Sequence, residues 1–574
     1  MTIPELYALY KLHPVVTTDS RACPPGAIFF ALKGENFDGN AYAEKALQAG
    51  CAYAVVDKAP APTGNNDIAS SAKNNASTSI KNDGDMPIKS DVSTPIKNDD
   101  TTASNDNAST SIRNDGVPPN KRMIVVENVL KTLQQLARFH RETLGVKIIG
   151  ITGTNGKTTT KELIARVLSK KYNILYTEGN LNNHIGVPLT LLKLTDKHEV
   201  AVVEMGANHP GEIRELADIA RPDYGLITNV GYAHLEGFDS FDGVVRTKGE
   251  LYDFIRETNG MVFIDKDNNC LMKMVEGIKK TTYGKIPDES VHDTETGTDA
   301  IAHDTETNAI ARETGTDETG RKTEPGESGR KTEAGESIRQ YEQEDMRCRQ
   351  SPSVVGAVIQ NDPFLSFRWH LQNAAAQNID TYRVDTHLVG KYNLCNALAA
   401  ITTGLYFRIP PEQINEALST YQPTNNRSQM QRTLYNILII DAYNANPSSM
   451  KAALENFASS GNRHIRPAPN PFSDKSSSAK DYVPSQKAVI LGDMLELGEK
   501  SSEMHEEIIS LVNKCGFNKV LLCGERFYAA GQIYTRFKTV DELNKHLKTA
   551  PLKGYEILIK GSRGIHLENI IDNL

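Results

Sequence analysis

The chain has 574 residues, room for three or four domains at about 150 residues each. Its 64 Lys and Arg stand against 72 Asp and Glu, a formal charge of −8, so it carries no basic footprint for nucleic acid. The N-terminal MTIPELYALYKLHP lacks a basic region leading into an apolar one, and no run nears the roughly 18 apolar residues of a membrane span, so a cytoplasmic protein without membrane insertion is expected. Seven scattered cysteines, without a C-x-x-C pair, read as reduced structural or surface thiols rather than a zinc or redox site.

From the N-terminus, Ala27 to Leu32 reads as a buried strand, Ala41 to Ala49 as a helix and Ala52 to Val56 as a second strand. Two polar stretches interrupt them, Asp19-Ser20-Arg21 and Lys33 to Gly39, which turn chemistry or ligand contact explain equally well. Between Pro60 and Asn120 no aromatic occurs, and NASTSIKNDG at Asn75 returns as NASTSIRNDG at Asn107. A unit with a single Ile cannot bury enough apolar surface to offset its ordering entropy, so this stretch reads as a disordered insertion. A strand at Val125 to Asn128 and an amphipathic helix at Leu130 to Phe139 resume after it, which puts the insertion inside the first domain.

Lys147 to Ser169 follows as strand, glycine loop and helix: Ile148 to Ile151 is apolar, Gly153 and Gly156 flank the turn, and Leu163, Ile164, Val167 and Leu168 recur at helical spacing. Such a loop lets backbone N–H groups and a helix N-terminus converge on a phosphate, with Lys157 adding charge and the Thr158 hydroxyl placed to ligate magnesium. The spacing is G-x-x-G-K-T, a variant of the general phosphate loop, with Ile151 where that pattern has its first glycine. Further strands at Glu199 to Glu204 and Tyr224 to Thr228 end on Glu204 and on the segment that carries His234. In open parallel sheets ligands bind at the carboxyl ends of strands, so a carboxylate and an imidazole are expected at the same edge as the loop.

A second aromatic-poor, repeat-bearing insertion spans about 287–340, with GRKTEPGES copied as GRKTEAGES. Asn393 to Leu405 reads as a helix carrying Asn393 and Asn396 one turn apart. Beyond Thr424 come strands at Asn436 to Ile440, Ala488 to Leu491, Val520 to Cys523 and Glu556 to Lys560, a helix around Met504 to Asn513, and a polar insert at about 463–486. That alternation predicts an α/β class throughout, with parallel sheets between helices.

Several stretches together resemble the Mur ligases of peptidoglycan synthesis, and among them those that add D-alanyl-D-alanine. They include TGTNGKTTTKE (Thr152 to Glu162), NNHIGVPLTLL (Asn182 to Leu192), EMGANHPGEI (Glu204 to Ile213), ITNVGYAHLEGFDS (Ile227 to Ser240), TKGELYD (Thr247 to Asp253), GKYNLCNALAA (Gly390 to Ala400), NNRSQ (Asn425 to Gln429), DAYNANPSSM (Asp441 to Met450), GDMLELG (Gly492 to Gly498) and KGSRG (Lys560 to Gly564). The resemblance implies three domains: 1–144 for the UDP substrate, a phosphate-loop ATPase domain at 145–423, and a Rossmann-like domain at 424–574. It implies an ATP-dependent amide ligation, expected of a monomer, in which UDP-N-acetylmuramoyl-tripeptide becomes an acyl phosphate that the amine of D-alanyl-D-alanine captures.

By the same resemblance Gly153, Thr154, Asn155, Gly156, Lys157, Thr158 and Thr159 hold the ATP phosphates. Thr158 and Glu204 would hold one Mg²⁺, and Glu204, His234 and a CO₂-carbamylated Lys248 a second. Asn393 and Asn396 would read adenine, while Arg427, Asp441 and Asn444, with Asn446, approach from the last domain. Ser20, Arg21, Asn36, Phe37 and Asp38 resemble the uridine-nucleotide site, and Asn182 and Asn183 the contacts to the muramoyl substrate. Asp493 and Glu496 are candidates for the dipeptide. Two positions depart from the family pattern: Ala442 where many relatives have serine, and Tyr392 where histidine is frequent. The nucleotide loop alone would equally fit another Mur-type or a folylpolyglutamate-type ligase; a phosphate-loop kinase would share the loop and the metals, and a non-catalytic nucleotide switch would bind ATP with no acceptor dependence.

Overall fold

The computed structural model describes residues 1–35, 37–58, 119–233, 235–286, 353–372, 380–424, 426–461 and 486–574. The expected insertions at about 60–120, 287–340 and 463–486 lie outside the described residues, except for residues 119–120 and 486. Among the described residues three main sheets follow one another along the chain.

The first has four parallel strands in the order Val16–Thr17, Ile28–Phe30, Tyr53–Val56 and Met123–Val125. The last of these ends where a strand was expected to begin. The reason is Asn128, whose side chain accepts the Lys131 N–H and caps the helix Val129–Leu144, so the chain must turn before it. Gly145, at φ +65°, ends that helix.

The helix Val129–Leu144 buries Leu133 and Leu136 fully, in one core with Phe30 and Val55 of the first sheet and with Leu191 and Ile213 from segments flanking the second. Each such leucine contributes about 2 kcal/mol, so this single helix welds the first sheet to the second.

The central sheet has nine strands: Tyr382–Asp385, Leu365–Leu371, Val354–Asn361, Lys279–Lys285, Met261–Asp265, Tyr224–Ile227, Lys147–Thr152, Val200–Glu204 and Ile174–Tyr176. Its middle strands are almost wholly buried, as continuous apolar runs must be when helices cover both faces. On one face lie Lys157–Leu168 and Asn393–Tyr406; on the other, Glu212–Ala220 and Phe241–Glu257. The sheet is parallel as expected through Val354–Asn361, and at one edge Val354–Asn361, Leu365–Leu371 and Tyr382–Asp385 pair antiparallel with one another. Short connections between those strands leave no room for a crossover helix.

The last sheet runs Gln429–Arg432, Ile437–Asp441, Tyr555–Lys560, Gln486–Gly492, Lys519–Cys523 and Thr535–Phe537. All neighbours are parallel except the first pair, a hairpin. The strand pairs Lys147–Thr152 with Val200–Glu204 and Ile437–Asp441 with Tyr555–Lys560 end side by side, which brings the glycine loop next to Glu204 and sets Lys560 opposite Asp441.

Candidate active site

The glycine loop is shaped by two positions that no side chain could occupy. Gly153 has φ +139°, and a Cβ there would lie 2.1 Å from the Thr228 hydroxyl. Gly156 has φ +78°, and a Cβ there would lie 2.7 Å from the Asn396 amide oxygen. Both combine a left-handed backbone with close packing, so glycine is required. The loop is fastened to the neighbouring strand end: Thr228 Oγ1 and Asn229 Nδ2 both donate to the Asn155 carbonyl (2.6 and 2.9 Å), and the Asn155 N–H donates to Asn229 Oδ1 (3.0 Å). The helix starts at Lys157, whose Nζ donates to the carbonyls of Gly153 (2.6 Å) and Thr154 (3.1 Å). Burial holds the Lys157 amine below its ordinary pKa, against the pull of Glu204 and with a further push from Arg427.

Glu204, 1 % exposed, is where three elements meet. Its carboxylate accepts from the Thr158 hydroxyl (3.0 Å) and from Asn182 Nδ2 (2.9 Å), and Lys161 Nζ stands 3.6 Å away. Burial alone would raise its pKa, yet the carboxyl is held below its usual range because Lys161, Arg427 and Lys157 together with the Asn182 bond outweigh the desolvation. Lys161 has no role in the sequence reading. The signal was present: it lies three residues after Thr158, hence on the same helix face.

Lys248 is 2 % exposed on the helix Phe241–Glu257. Its Nζ donates to the carbonyl of Ala207 (3.3 Å), three residues past Glu204, and lies 5.3 Å from the Phe238 ring centre. Burial, reinforced by Lys157, pushes its pKa down to about 7 despite Glu212 and Glu250. His234 lies outside the described residues, as does Asn36.

A cleft of about 770 Å³ opens between the central and last sheets. Gly156, Lys157, Thr158, Thr159, Thr154 and Asn155 line it from one side, and Arg427, Asp441, Asn444, Asn446 and Lys560 from the other. Asn393 and Asn396 line it too: Asn396 Nδ2 donates to Asn393 Oδ1 (2.9 Å), its own oxygen accepts from Thr160 (3.1 Å), and Asn393 Nδ2 donates to the Val389 carbonyl (2.9 Å). Arg427 lies 3.8 Å over the Tyr443 ring, with a buried Nε that has no partner among the described residues. Lys560, which the sequence reading names in KGSRG without a role, donates to Asp441 at 2.6 Å. The two halves touch directly, Asn446 Nδ2 donating to Asn155 Oδ1 at 2.8 Å. Tyr392 also reaches across, its hydroxyl 2.8 Å from that of Ser428.

Asn182 and Asn183 sit at the same cleft, but Asn183 turns its amide oxygen to the N–H groups of Ile185 and Gly186, just ahead of the next helix. Asp493 does not line the cleft: it is 3 % exposed, and its carboxylate accepts from the N–H groups of Arg526 and Phe527 at the start of the helix Glu525–Ala530. Glu496 does line the cleft. Ser20, Arg21, Phe37 and Asp38 stay on the first sheet's side and do not reach this cleft. Arg21 pairs with Asp19 through Nε and Nη2, Asp38 caps the turn at Asn40, and Phe37 stacks on Tyr42.

Residues 151–318 match the Mur ligase middle domain, and residues 14–141 the Mur ligase family catalytic domain. The chain is 29 % identical to the UDP-N-acetylmuramoyl-tripeptide--D-alanyl-D-alanine ligase of Bacillus subtilis, an alignment covering 97 % of this chain and 92 % of that one. It is 27 % identical to the Escherichia coli protein of the same name, with the same coverage. In fold it is similar to MurF from Acinetobacter baumannii (TM-score 0.64, 23 % identity, 97 % of this chain and 92 % of that one). It is also similar to the ADP complex of MurF ligase from Thermotoga maritima (TM-score 0.62, 20 % identity, 98 % and 97 %).

Proposed function

The chain belongs to the Mur ligase family, and from that premise we propose that it joins D-alanyl-D-alanine to UDP-N-acetylmuramoyl-tripeptide, converting ATP to ADP and phosphate. The observation that carries the reading is the convergence of Lys157, Thr158 and Glu204 at the mouth of a cleft whose far wall supplies Arg427, Asp441 and Lys560. A carboxylate is a poor acyl donor because oxide cannot leave, whereas phosphate can. The site must therefore hold the tripeptide carboxylate against the γ-phosphate, two anions that repel.

In this reading the loop N–H groups and the start of the helix at Lys157 grip the phosphates, and Lys157 leaves the Gly153 and Thr154 carbonyls to meet them. Arg427 and Lys560 add positive charge from the opposite wall. The carboxylate oxygen bonds to the γ-phosphorus as the bond to ADP breaks. The amine nitrogen then bonds to the acyl carbon, the acyl C–O bond breaks, and phosphate departs with that oxygen while the nitrogen loses its proton to water. Asn393 and Asn396 are assigned to the adenine edge, and Asn444 to the ribose side with Asp441. Asn182 and Asn183 are assigned to the muramoyl substrate, and Ser20, Arg21, Asn36, Phe37 and Asp38 to the uridine nucleotide. The domain limits 1–144, 145–423 and 424–574 are part of the proposal, supported by the separate sheet within each.

A hydroxyl and a buried carboxylate 3.0 Å apart beside a phosphate loop are hard oxygen donors of the kind Mg²⁺ takes, so Thr158 and Glu204 fit one site. Glu204, His234 and Lys248 are assigned to a second. Lys248 suits that role only as a carbamate, since an ammonium repels the cation. A buried amine with a pKa near 7 is substantially unprotonated at neutral pH and can add to CO₂. Magnesium bound there would supply charge neutralisation to the phosphates and the acyl oxygen. The cytoplasm, where ATP is plentiful, is the compartment this reading calls for.

Phosphate release separates the alternatives. Release that requires both UDP-N-acetylmuramoyl-tripeptide and D-alanyl-D-alanine supports the ligase. Release with the tripeptide alone, or a response to folate and glutamate, overturns it.

A further inference from the structure

Glu204 is surrounded by three positive groups that differ in one respect. Lys157 and Arg427 line the cleft, where phosphate would lie; Lys161 does not line it. Its amine is 3.6 Å from Glu204 Oε2 and 5.8 Å from the Tyr176 ring centre, it is fully buried, and it has no hydrogen-bond partner among the described residues. A buried carboxylate requires a counter-charge, and only Lys161 is fixed in place to provide one whether or not the nucleotide is present.

We propose that Lys161 is a positioning residue that keeps the Thr158–Glu204 pair closed to a divalent cation until a nucleotide arrives. The inference rests on the assignment of Thr158 and Glu204 to a metal site. Without nucleotide, a cation at Glu204 adds two positive charges beside a buried third, an arrangement that electrostatics opposes. The nucleotide phosphates bring the missing negative charge and draw Lys157 and Arg427 to themselves, after which the cation is favoured. Cation and nucleotide are thus coupled, each raising the other's affinity by the same factor. Lys161 also holds the carboxylate in the orientation that receives the Thr158 hydroxyl and Asn182, so no rearrangement of Glu204 is needed when the cation comes.

The test is Mn²⁺ binding to the full-length protein, read by electron paramagnetic resonance with and without ADP. Lys161→Met keeps the length of the side chain and removes its charge; it should bind Mn²⁺ at least about tenfold more tightly than the parent when no nucleotide is present, with the gap narrowing once ADP is added. Lys161→Arg retains the charge and should match the parent. Thermal unfolding verifies that each variant is folded, and Lys161→Gln is read in the same way should the methionine variant not fold. Uncharged variants that bind Mn²⁺ no more tightly than the parent overturn the proposal, as does an arginine variant that binds as tightly as they do. A parent protein that takes up no Mn²⁺ even with ADP contradicts instead the metal assignment beneath it.

Discussion

At the scale of single residues the site is an arrangement of buried charges, and one of them, Lys248, makes two predictions. Lys248 has its pKa lowered from 10.5 to about 7 in the folded chain. Between those values the unfolded state holds a proton the folded state lacks, so stability rises with pH across that window, by up to about 1.4 kcal/mol per pH unit. Lys248→Met should flatten that rise, and the variant should exceed the parent in stability below pH 7, as followed by denaturant titration at several pH values. The carbamate assignment makes a second prediction. With ¹³CO₂ supplied, the parent should show a carbamate carbon signal that Lys248→Ala lacks, and that variant should lose turnover with no recovery on adding bicarbonate; near-normal turnover would contradict the role. Much of this layer was legible from residue types, because G-x-x-G-K-T and a strand ending on an acid carry their chemistry in their spacing. Lys161 and Lys560 were not, because each gains its meaning from a partner distant in sequence: Glu204 at the end of a strand beside the helix, and Asp441 in the facing register.

At the scale of elements, the strand–loop–helix unit works because its backbone takes a path closed to other residues. Gly153→Ala would need a left-handed conformation and a Cβ 2.1 Å from Thr228 Oγ1, so it should cost about 2 kcal/mol or more of stability and abolish nucleotide binding, measurable by calorimetric titration with ADP. The helix Val129–Leu144 gives the complementary case, a purely structural one. Leu136→Ala should destabilise the protein by about 2–5 kcal/mol without changing the KM for ATP. The strands expected from apolar runs formed close to their expected limits, since fully buried parallel strands write themselves as unbroken Val, Ile and Leu. The antiparallel pairing of Val354–Asn361 with Leu365–Leu371 was hidden: VVGAVI reads as any buried strand whatever its direction, while LSFRWHL mixes polar with apolar residues and lacks that signature. The surroundings of Asp493 were hidden for a related reason: in sequence a loop acid and one that accepts from a helix start look the same, and only the N–H groups of Arg526 and Phe527 distinguish them.

At the scale of the whole molecule, three sheets follow one another along the chain, and the cleft lies between the second and third. The Asn446–Asn155 hydrogen bond joins the last domain to the glycine loop itself, so on the proposed function the residue that meets the nucleotide also ties the two walls of the cleft together. Asn446→Asp would set an anion against the loop that grips phosphate; kcat should fall by about tenfold or more while the thermal midpoint changes little. The central claim is that the tripeptide carboxylate becomes an acyl phosphate in this cleft. It is tested most directly by labelling both oxygens of that carboxylate with ¹⁸O and analysing the phosphate released on reaction with ATP and D-alanyl-D-alanine. One ¹⁸O in each phosphate is the predicted result, since the oxygen that attacks phosphorus must leave with it. Phosphate free of label would contradict the account.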